Sequence, residues 1–504
     1  MANSEADPER TPVIIGVGQI NDRPAEGAVG LDSGELMLEA LRRADKDAGG
    51  SVLADVDMLG VVDQISFPEL GELCAPLAAA IGARPSVSYQ SPSPHGDTPI
   101  RLLNGAANRI GAGEIKLAAV VGGEALRTAA ARARARTQGG ESIDVVRRSA
   151  TQREPGYLQS FGLVAPVDIY PLYENASRAS YGQSLAEAQA ETGEIWSLFS
   201  QVAERNEGAW VRRRTSPEAI LTPSEDNRPI AFPYNKLMVA NSSVNQGAGF
   251  LVASLAEARR RGVPDEQLIY VGQGAAAKEP ANLLRRDRFD RSVSMDVSIR
   301  ATLAANGVSV QDLDLVELYS CFPCVPKMAR RTLGWPADRP ASVFGGLTFG
   351  GGPIGNYMGH AVVSMVTALR ERGRFGFLFA NGGFATDNHC ILIGREAIAG
   401  ARFPQDFDRQ AEADAARGPA PDLDKAYVGP GRIETYTVFY GRNGSARGGV
   451  VIARTPAGAR TLAHIDVRDP VALSYFTDGL LEPVGQAGAI VEHPELGRTW
   501  TLPH

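Results

Sequence analysis

Gly351-Gly352-Pro353-Ile354-Gly355-Asn356-Tyr357-Met358-Gly359-His360 opens a pattern that occurs twice in this 504-residue chain. After His360 the spacing of apolar residues predicts a helix to about Arg372. A short apolar run over 375–380 follows and reads as a strand ending at Gly382-Gly383. Earlier, Pro94-His95-Gly96-Asp97 leads into a predicted helix over 97–110 that stops at Gly111. A strand over 117–121 then ends at Gly122-Gly123. The repeated order of histidine, helix, glycine turn, strand and Gly-Gly reads as a distant internal duplication.

The surrounding segments keep the same alternation. Strands are expected at 13–18, 58–62, 268–272 and 313–318. Helices are expected at 33–44, with Asp32 and Ser33 as caps, and at 297–305. Strands alternating with helices predict an α/β protein with a mainly parallel sheet covered on both faces. Residues 124–236 are rich in Arg, Glu and Ala and read as an inserted, mostly helical domain. Residues 400–424 read as a linker or wrap-around tail. From 425 on, short alternating strands with Gly, Pro and Asn turns predict a small β-barrel. The expected division is therefore 1–123 and 237–265 for a first half, 124–236 for the insert, 266–399 for a second half, 400–424 for the linker and 425–504 for the barrel.

Composition bounds the function. With 44% hydrophobic and 22% charged residues the chain is globular. A net charge of −7 argues against nucleic acid or an anionic membrane as partner. Of the 51 Lys and Arg only six are lysine, so arginine clusters are less informative than usual. Four cysteines make no disulfide framework and suit a reducing compartment. The polar N-terminal decapeptide does not read as a signal peptide, and no apolar run approaches the ~18 residues that span a bilayer. A cytoplasmic location is the expectation.

Four motifs, in order, resemble the active-site segments of the thiolase superfamily, near the sterol-carrier-protein branch. Ala240-Asn241-Ser242-Ser243-Val244-Asn245-Gln246-Gly247-Ala248 is similar to the family's Asn-Ala-Ser-x-x-Asn-Asp-Gly-Ala segment. Tyr319-Ser320-Cys321-Phe322 resembles the Asn-Glu-Ala-Phe or His-Asp-Cys-Phe loop. Gly359-His360 resembles the start of the Gly-His-Pro loop, and Gly382-Gly383 the last catalytic loop. The resemblance covers about residues 11–398. It implies a duplicated five-layered fold of two five-stranded α/β halves with a loop domain inserted in the first. It also implies CoA or acyl-CoA as the ligand, with no other cofactor, and places Ser242, Asn245 and Gly247 in the CoA-binding segment. Gly359, Gly382 and Gly383 fall in the oxyanion region. The barrel resembles the OB-fold half of proteins associated with acyl-CoA enzymes. Family members are dimers or tetramers; a barrel covering that surface would leave a monomer, so monomer and dimer both stand.

The departures concern chemistry. The nucleophilic cysteine is expected near His95 or Gly96, and the second just before Gly382; neither is present. Tyr319 replaces a residue that positions water, Ala361 replaces the proline, and the 352–359 stretch carries an apparent extra residue. Thiolysis needs a thiolate to hold the acyl group. Losing a nucleophile costs on the order of 10⁶-fold in turnover. The catalytic candidates that remain are His360 as an oxyanion donor, Tyr319 or Tyr357 as proton donors, and His95 as a base. Three functions follow: an acyl-CoA-binding protein of the acyltransferase family without ordinary thiolase turnover, in lipid or sterol metabolism; a CoA-ester aldol lyase using Tyr and His; or a non-catalytic scaffold. Cys321-Phe322-Pro323-Cys324 lacks partners at metal-ligand spacing, so no metal site is expected. The arginines at 127–136 and 212–214 suit CoA phosphates or a solvated helix face.

Overall fold

The computed structural model describes residues 7–25, 28–136 and 156–502. The extreme N-terminus and part of the insert, on which two of the readings above bear, lie outside these residues. The strands are β1 (Pro12–Asn21), β2 (Met58–Val61), β3 (Val87–Gln90), β4 (Leu117–Ala125), β5 (Pro229–Ala231), β6 (Tyr234–Asn235), β7 (Asn245–Ser254), β8 (Ile269–Lys278), β9 (Leu315–Leu318), β10 (Phe375–Gly382) and β11 (Asp387–Gly394) in the body of the chain. The tail adds β12 (Gly429–Tyr440), β13 (Ala446–Arg454), β14 (Arg460–His464), β15 (Ala487–His493) and β16 (Gly497–Thr501).

The first sheet runs β3-β2-β4-β7-β1-β8-β11-β10-β9. Its two halves repeat one plan. In the first, β2 is parallel to β4, and β4–β7 and β7–β1 are antiparallel. In the second, β9 is parallel to β10, and β10–β11 and β11–β8 are antiparallel. This is the internal duplication expected from the motifs. The second half has no strand equivalent to β3; there the Ala341 carbonyl accepts from Leu318 N at 2.9 Å. The expectation of a mainly parallel sheet is corrected. Parallel pairing is confined to β3–β2, β2–β4 and β9–β10, because the insert and the short 383–386 turn each join antiparallel neighbours.

Two helices occupy the middle. Thr98–Ala112 packs on β4, β7, β8 and β11, and Tyr357–Glu371 on β1, β7, β9 and β10. Ile100, Leu102, Leu103, Ala106, Ala107 and Ile110 of the first are all buried, as is every residue from Tyr357 to Val366 of the second. The second is buried all round along this stretch, which places it between layers, and the first leaves only its Arg101 and Arg109 edge toward the surface. Helix Ser33–Asp47 covers β1, β4 and β7 from outside, and Val293–Asn306 covers β8 and β11, giving five layers. Asp32 caps the former through a capping box with Glu35. The Gly16-Val17-Gly18 signature lets β1 touch that helix: a Cβ on either glycine would fall 2.3 Å from the Ala44 or Ala40 carbonyl.

Two helix and strand ends differ from expectation. Thr98–Ala112 runs through Gly111, which packs on Phe403 of the wrap-around segment, and ends at Gly113 with φ 75°. β4 continues through Gly122-Gly123 to Ala125, because β7 pairs with it over the whole length.

The tail strands close as β12-β13-β14-β16-β15-β12, with helix Pro470–Thr477 between β14 and β15. The insert contributes helices Pro166–Ser180 and Leu185–Arg205 and the hairpin β5–β6, which extends the barrel sheet: Ala231 pairs with Phe439. Arg460, fully buried, joins barrel to body. It donates to the Leu284 and Arg286 carbonyls at 2.8 and 2.7 Å and to both oxygens of Glu434 at 2.6 and 2.8 Å. Arg460→Ala strands these acceptors away from water and is expected to lower stability by about 3–5 kcal/mol in denaturant unfolding.

Candidate functional site

Four loops meet at the start of the Thr98–Ala112 helix. A Cβ on Gly96 would lie 2.1 Å from the Asn381 carbonyl and 2.7 Å from Tyr319 Oη. One on Gly382 would lie 2.6 Å from His95 Nδ1, and one on Gly355 would lie 2.7 Å from Pro94. The segments at 94–97, 319–322, 355–357 and 381–383 are therefore in backbone contact, and only glycine fits at Gly96. The sequence-derived motifs do converge.

His95 sits at the mouth of this junction with 39% of its side chain exposed. Its Nδ1 is 3.4 Å from Asp97 Oδ1 and 3.4 Å from Asp387 Oδ2. Asp97 is also bonded to Arg101 at 2.8 Å, and Asp387 to Lys278 at 2.8 Å. The Asp97 contact, opposed by partial burial and assisted by Asp387, raises the imidazole above its usual pKa. Burial acts to raise the Asp97 carboxyl, but His95 and Arg101 outweigh it and hold the group below the ordinary range.

Tyr319 is buried beside Gly96, its ring edge-on to Tyr357 at 5.5 Å, and burial raises its phenol. Tyr357 Oη donates to Glu317 Oε1 at 2.6 Å. Glu317 also accepts from Ser342 Oγ and from Val343 and Phe344 N, while burial pushes its carboxyl up to about 7. Tyr170, from the insert, lies 3.0 Å from Asn381 Oδ1 and from the Gly383 carbonyl and stacks on Phe322 at 4.4 Å. Gly383 itself is exposed with φ 62°.

His360 is a correction. It does not open the helix, which starts at Tyr357 with Asn356 as N-cap. It lies one turn in, fully buried, stacked on Phe344 at 5.1 Å, with Nδ1 2.9 Å from Gln19 Oε1. Phe344 and Tyr357 stand between it and Tyr319. The residue beside the Pro94–His95 loop is Gly355. Asn356 donates to the Gly122 carbonyl at 2.7 Å, and Gly359 packs against its side chain.

Of the CoA-binding candidates, Asn245 and Gly247 are engaged within the protein. Asn245 Oδ1 accepts from Thr128 N at 3.0 Å, and a Cβ on Gly247 would lie 2.6 Å from the Leu36 carbonyl. Ser242 is half-buried on the connecting loop. Beside that loop is a cleft of about 480 Å³ lined by Arg23, Arg127, Arg134, Trp210, Ser243 and Asn245. The Arg23 and Arg127 guanidiniums lie 4.4 and 5.6 Å from the Trp210 ring centre. Burial, then repulsion from Arg127 and Arg212, lowers the Arg23 pKa. The cleft carries three arginines against one carboxylate, Asp22, with Trp210 packed beneath the Arg23 guanidinium.

All four cysteines are free and buried. Cys321 reaches the junction at Tyr170, but burial pushes its thiol up to about 12. At neutral pH it is held as the thiol, which is not the nucleophilic form. The sequence had no signal for Asp387: β10–β11 pairing sets it opposite Gly382, and β11–β8 pairing opposite Lys278. Trp210 and Tyr170 likewise come from the insert.

Duplicated halves, an inserted helical segment and four converging glycine loops define a thiolase fold whose nucleophile position is taken by other groups. Comparison with solved structures agrees. A monomeric SCP2-thiolase-like protein type 1 from Mycobacterium smegmatis matches with TM-score 0.81 and 30% identity, over 99% of this chain and 100% of that one. Human mitochondrial 3-ketoacyl-CoA thiolase in complex with CoA matches with TM-score 0.59 and 14% identity, over 77% and 98%. Acetyl-CoA acetyltransferase from Syntrophomonas wolfei gives 0.56 and 17%, over 77% and 100%. Residues 410–493 match the family described as the thiolase-like protein type 1 additional C-terminal domain. No curated protein matches by sequence. The chain belongs to the SCP2-thiolase-like branch of the thiolase superfamily. Among the described residues no helix is long and apolar enough to cross a membrane.

Burial lowers the His360 pKa to about 3, against ~6.5 in an unfolded chain. Below pH ~6.5 the unfolded state takes up a proton that the folded state refuses, so stability falls as pH drops toward about 3. The loss approaches ~1.4 kcal/mol per pH unit for this group. In His360→Gln, urea unfolding at pH 6, 5 and 4 is expected to show an acid slope smaller by about one proton.

Proposed function

We propose that this protein binds CoA or an acyl-CoA and does not carry out thiolytic acyl transfer. The observation that carries the reading is the cationic cleft of Arg23, Arg127 and Arg134 against Trp210, set directly beside the Ser242–Asn245 loop. Guanidiniums recognise phosphate by charge-assisted, often paired hydrogen bonds, and the Trp210 ring beneath Arg23 holds that guanidinium in place. A nucleotide-bearing thioester carries such phosphates. At the loop junction His95, Gly96 and Tyr319 occupy the space in which a thiol nucleophile would work, and Cys321 is held protonated.

Aldol cleavage by Tyr319, Tyr357 and His360 draws less support. Tyr357 is committed to Glu317 and His360 has turned to Gln19, so the three do not face one space. Likeness to a relative described as monomeric supports a monomer for this chain as well; light scattering on the purified protein checks it.

Calorimetric titration with CoA, acetyl-CoA and a long-chain acyl-CoA tests the reading. Binding is expected, weakened at least about tenfold in Arg127→Gln, since a charged hydrogen bond contributes ~1.5–3 kcal/mol. Ser242→Trp is expected to block it, and thiolysis of acetoacetyl-CoA to stay at background. Absence of binding by all three ligands would overturn the proposal and leave a scaffold that keeps only the fold.

A further inference from the structure

We infer that His95, Asp97 and Asp387 form a binding site for a divalent transition cation of the zinc class. Two of the side chains, His95 and Asp97, come from the one loop that leads into the Thr98–Ala112 helix, and the third is the first residue of β11. One donor atom from each lies within 4.8 Å of the others.

The distances favour a shared cation over hydrogen bonds. His95 Nδ1 is 3.4 Å from an oxygen of each carboxylate. Good N–H···O bonds span ~2.7–3.2 Å, and one Nδ1–H cannot serve two acceptors equally. Donors held ~2.0–2.2 Å from a tetrahedral ion are themselves separated by ~3.3–3.5 Å. The two imidazole-to-carboxylate spacings are those of ligand atoms around an ion, and the third lies within 4.8 Å.

The supporting contacts are those of an oriented site. Asp97 directs Oδ2 to Arg101 and Asp387 directs Oδ1 to Lys278, both at 2.8 Å. Each carboxylate therefore has one oxygen fixed by a cation and the other, Oδ1 or Oδ2 respectively, turned to His95. Such outer partners hold ligating carboxylates in place. Both carboxylates are nearly buried, with side chains 3% and 8% exposed, while His95 is open to solvent. One imidazole and two carboxylates suit Zn²⁺ or a neighbouring first-row ion better than Mg²⁺, which keeps an octahedral oxygen shell. The linear sequence showed no ligand spacing because strand register alone brings Asp387 to the helix start.

The inference is independent of CoA binding and is tested without it. Untagged, full-length protein stripped with chelator is titrated with Zn²⁺, and with Co²⁺ followed by visible absorption. One equivalent of each is expected, with Co²⁺ bands of a four-coordinate N/O site. His95→Ala, at a half-exposed position, is expected to keep the fold by circular dichroism and to weaken binding more than about 100-fold. Asp387→Asn is expected to do the same. No stoichiometric binding, or binding unchanged in His95→Ala, would overturn the assignment. Since other histidines and four cysteines can take up zinc, retention of the equivalent in His95→Ala would locate it elsewhere.

Discussion

The Thr98–Ala112 and Tyr357–Glu371 helices are covered on both sides by sheet, and this burial organises the rest. The polar side chains of the first are met along its length, Asn104 by His389 and Gln405 and Asn108 by the Gln405 carbonyl, while Arg101 and Arg109 reach the surface. The first begins at Asp97, bound to Arg101 and His95; the second begins at Asn356, bound to the Gly122 carbonyl. Both starts point to the same junction of loops. Catalytic geometry in this fold is thus a by-product of layering: two helix starts, two strand ends and their glycines are brought together because the helices between them must be dry.

The same junction is filled from several elements. Gly96 is pressed between Asn381 and Tyr319, Tyr170 bridges Asn381 and Gly383, and Tyr357 closes over Glu317. Aromatic rings and hydrogen bonds occupy its interior. Packing of this kind adds apolar burial and removes solvated space, so it favours stability where a reactive site would have cost some of it. What stays accessible is the rim: His95, Gly383 and the arginine cleft near Ser242.

Much of this was legible in the residues. The duplicated order, the central helices, the insert and the tail barrel were readable from periodicity and glycine placement, and the absence of a thiol from simple inspection. Three things were not. The second central helix was expected to open at His360, because Gly355 and Gly359 both precede plausible helix starts, and it opens at Tyr357. The sheet was expected to be mainly parallel, although the connection through the insert brings β7 back antiparallel to β4. Asp387, Lys278 and Trp210 owe their places to pairing across more than a hundred residues, for which local pattern carries no information.

The hairpin β5–β6 belongs by sequence to the insert and by hydrogen bonding to the barrel, with Ala231 opposite Phe439 and Phe232 N on the Val438 carbonyl at 2.8 Å. During synthesis the hairpin leaves the ribosome some two hundred residues before its partner strand exists. Until then its edge, and the side of the Pro166–Ser180 helix that later meets β12, stand open to water. A late part of the chain is therefore the part that closes the first half's insert. Messages truncated before β12 is complete would yield a protein whose defect surfaces in the insert, far upstream in sequence of the missing end.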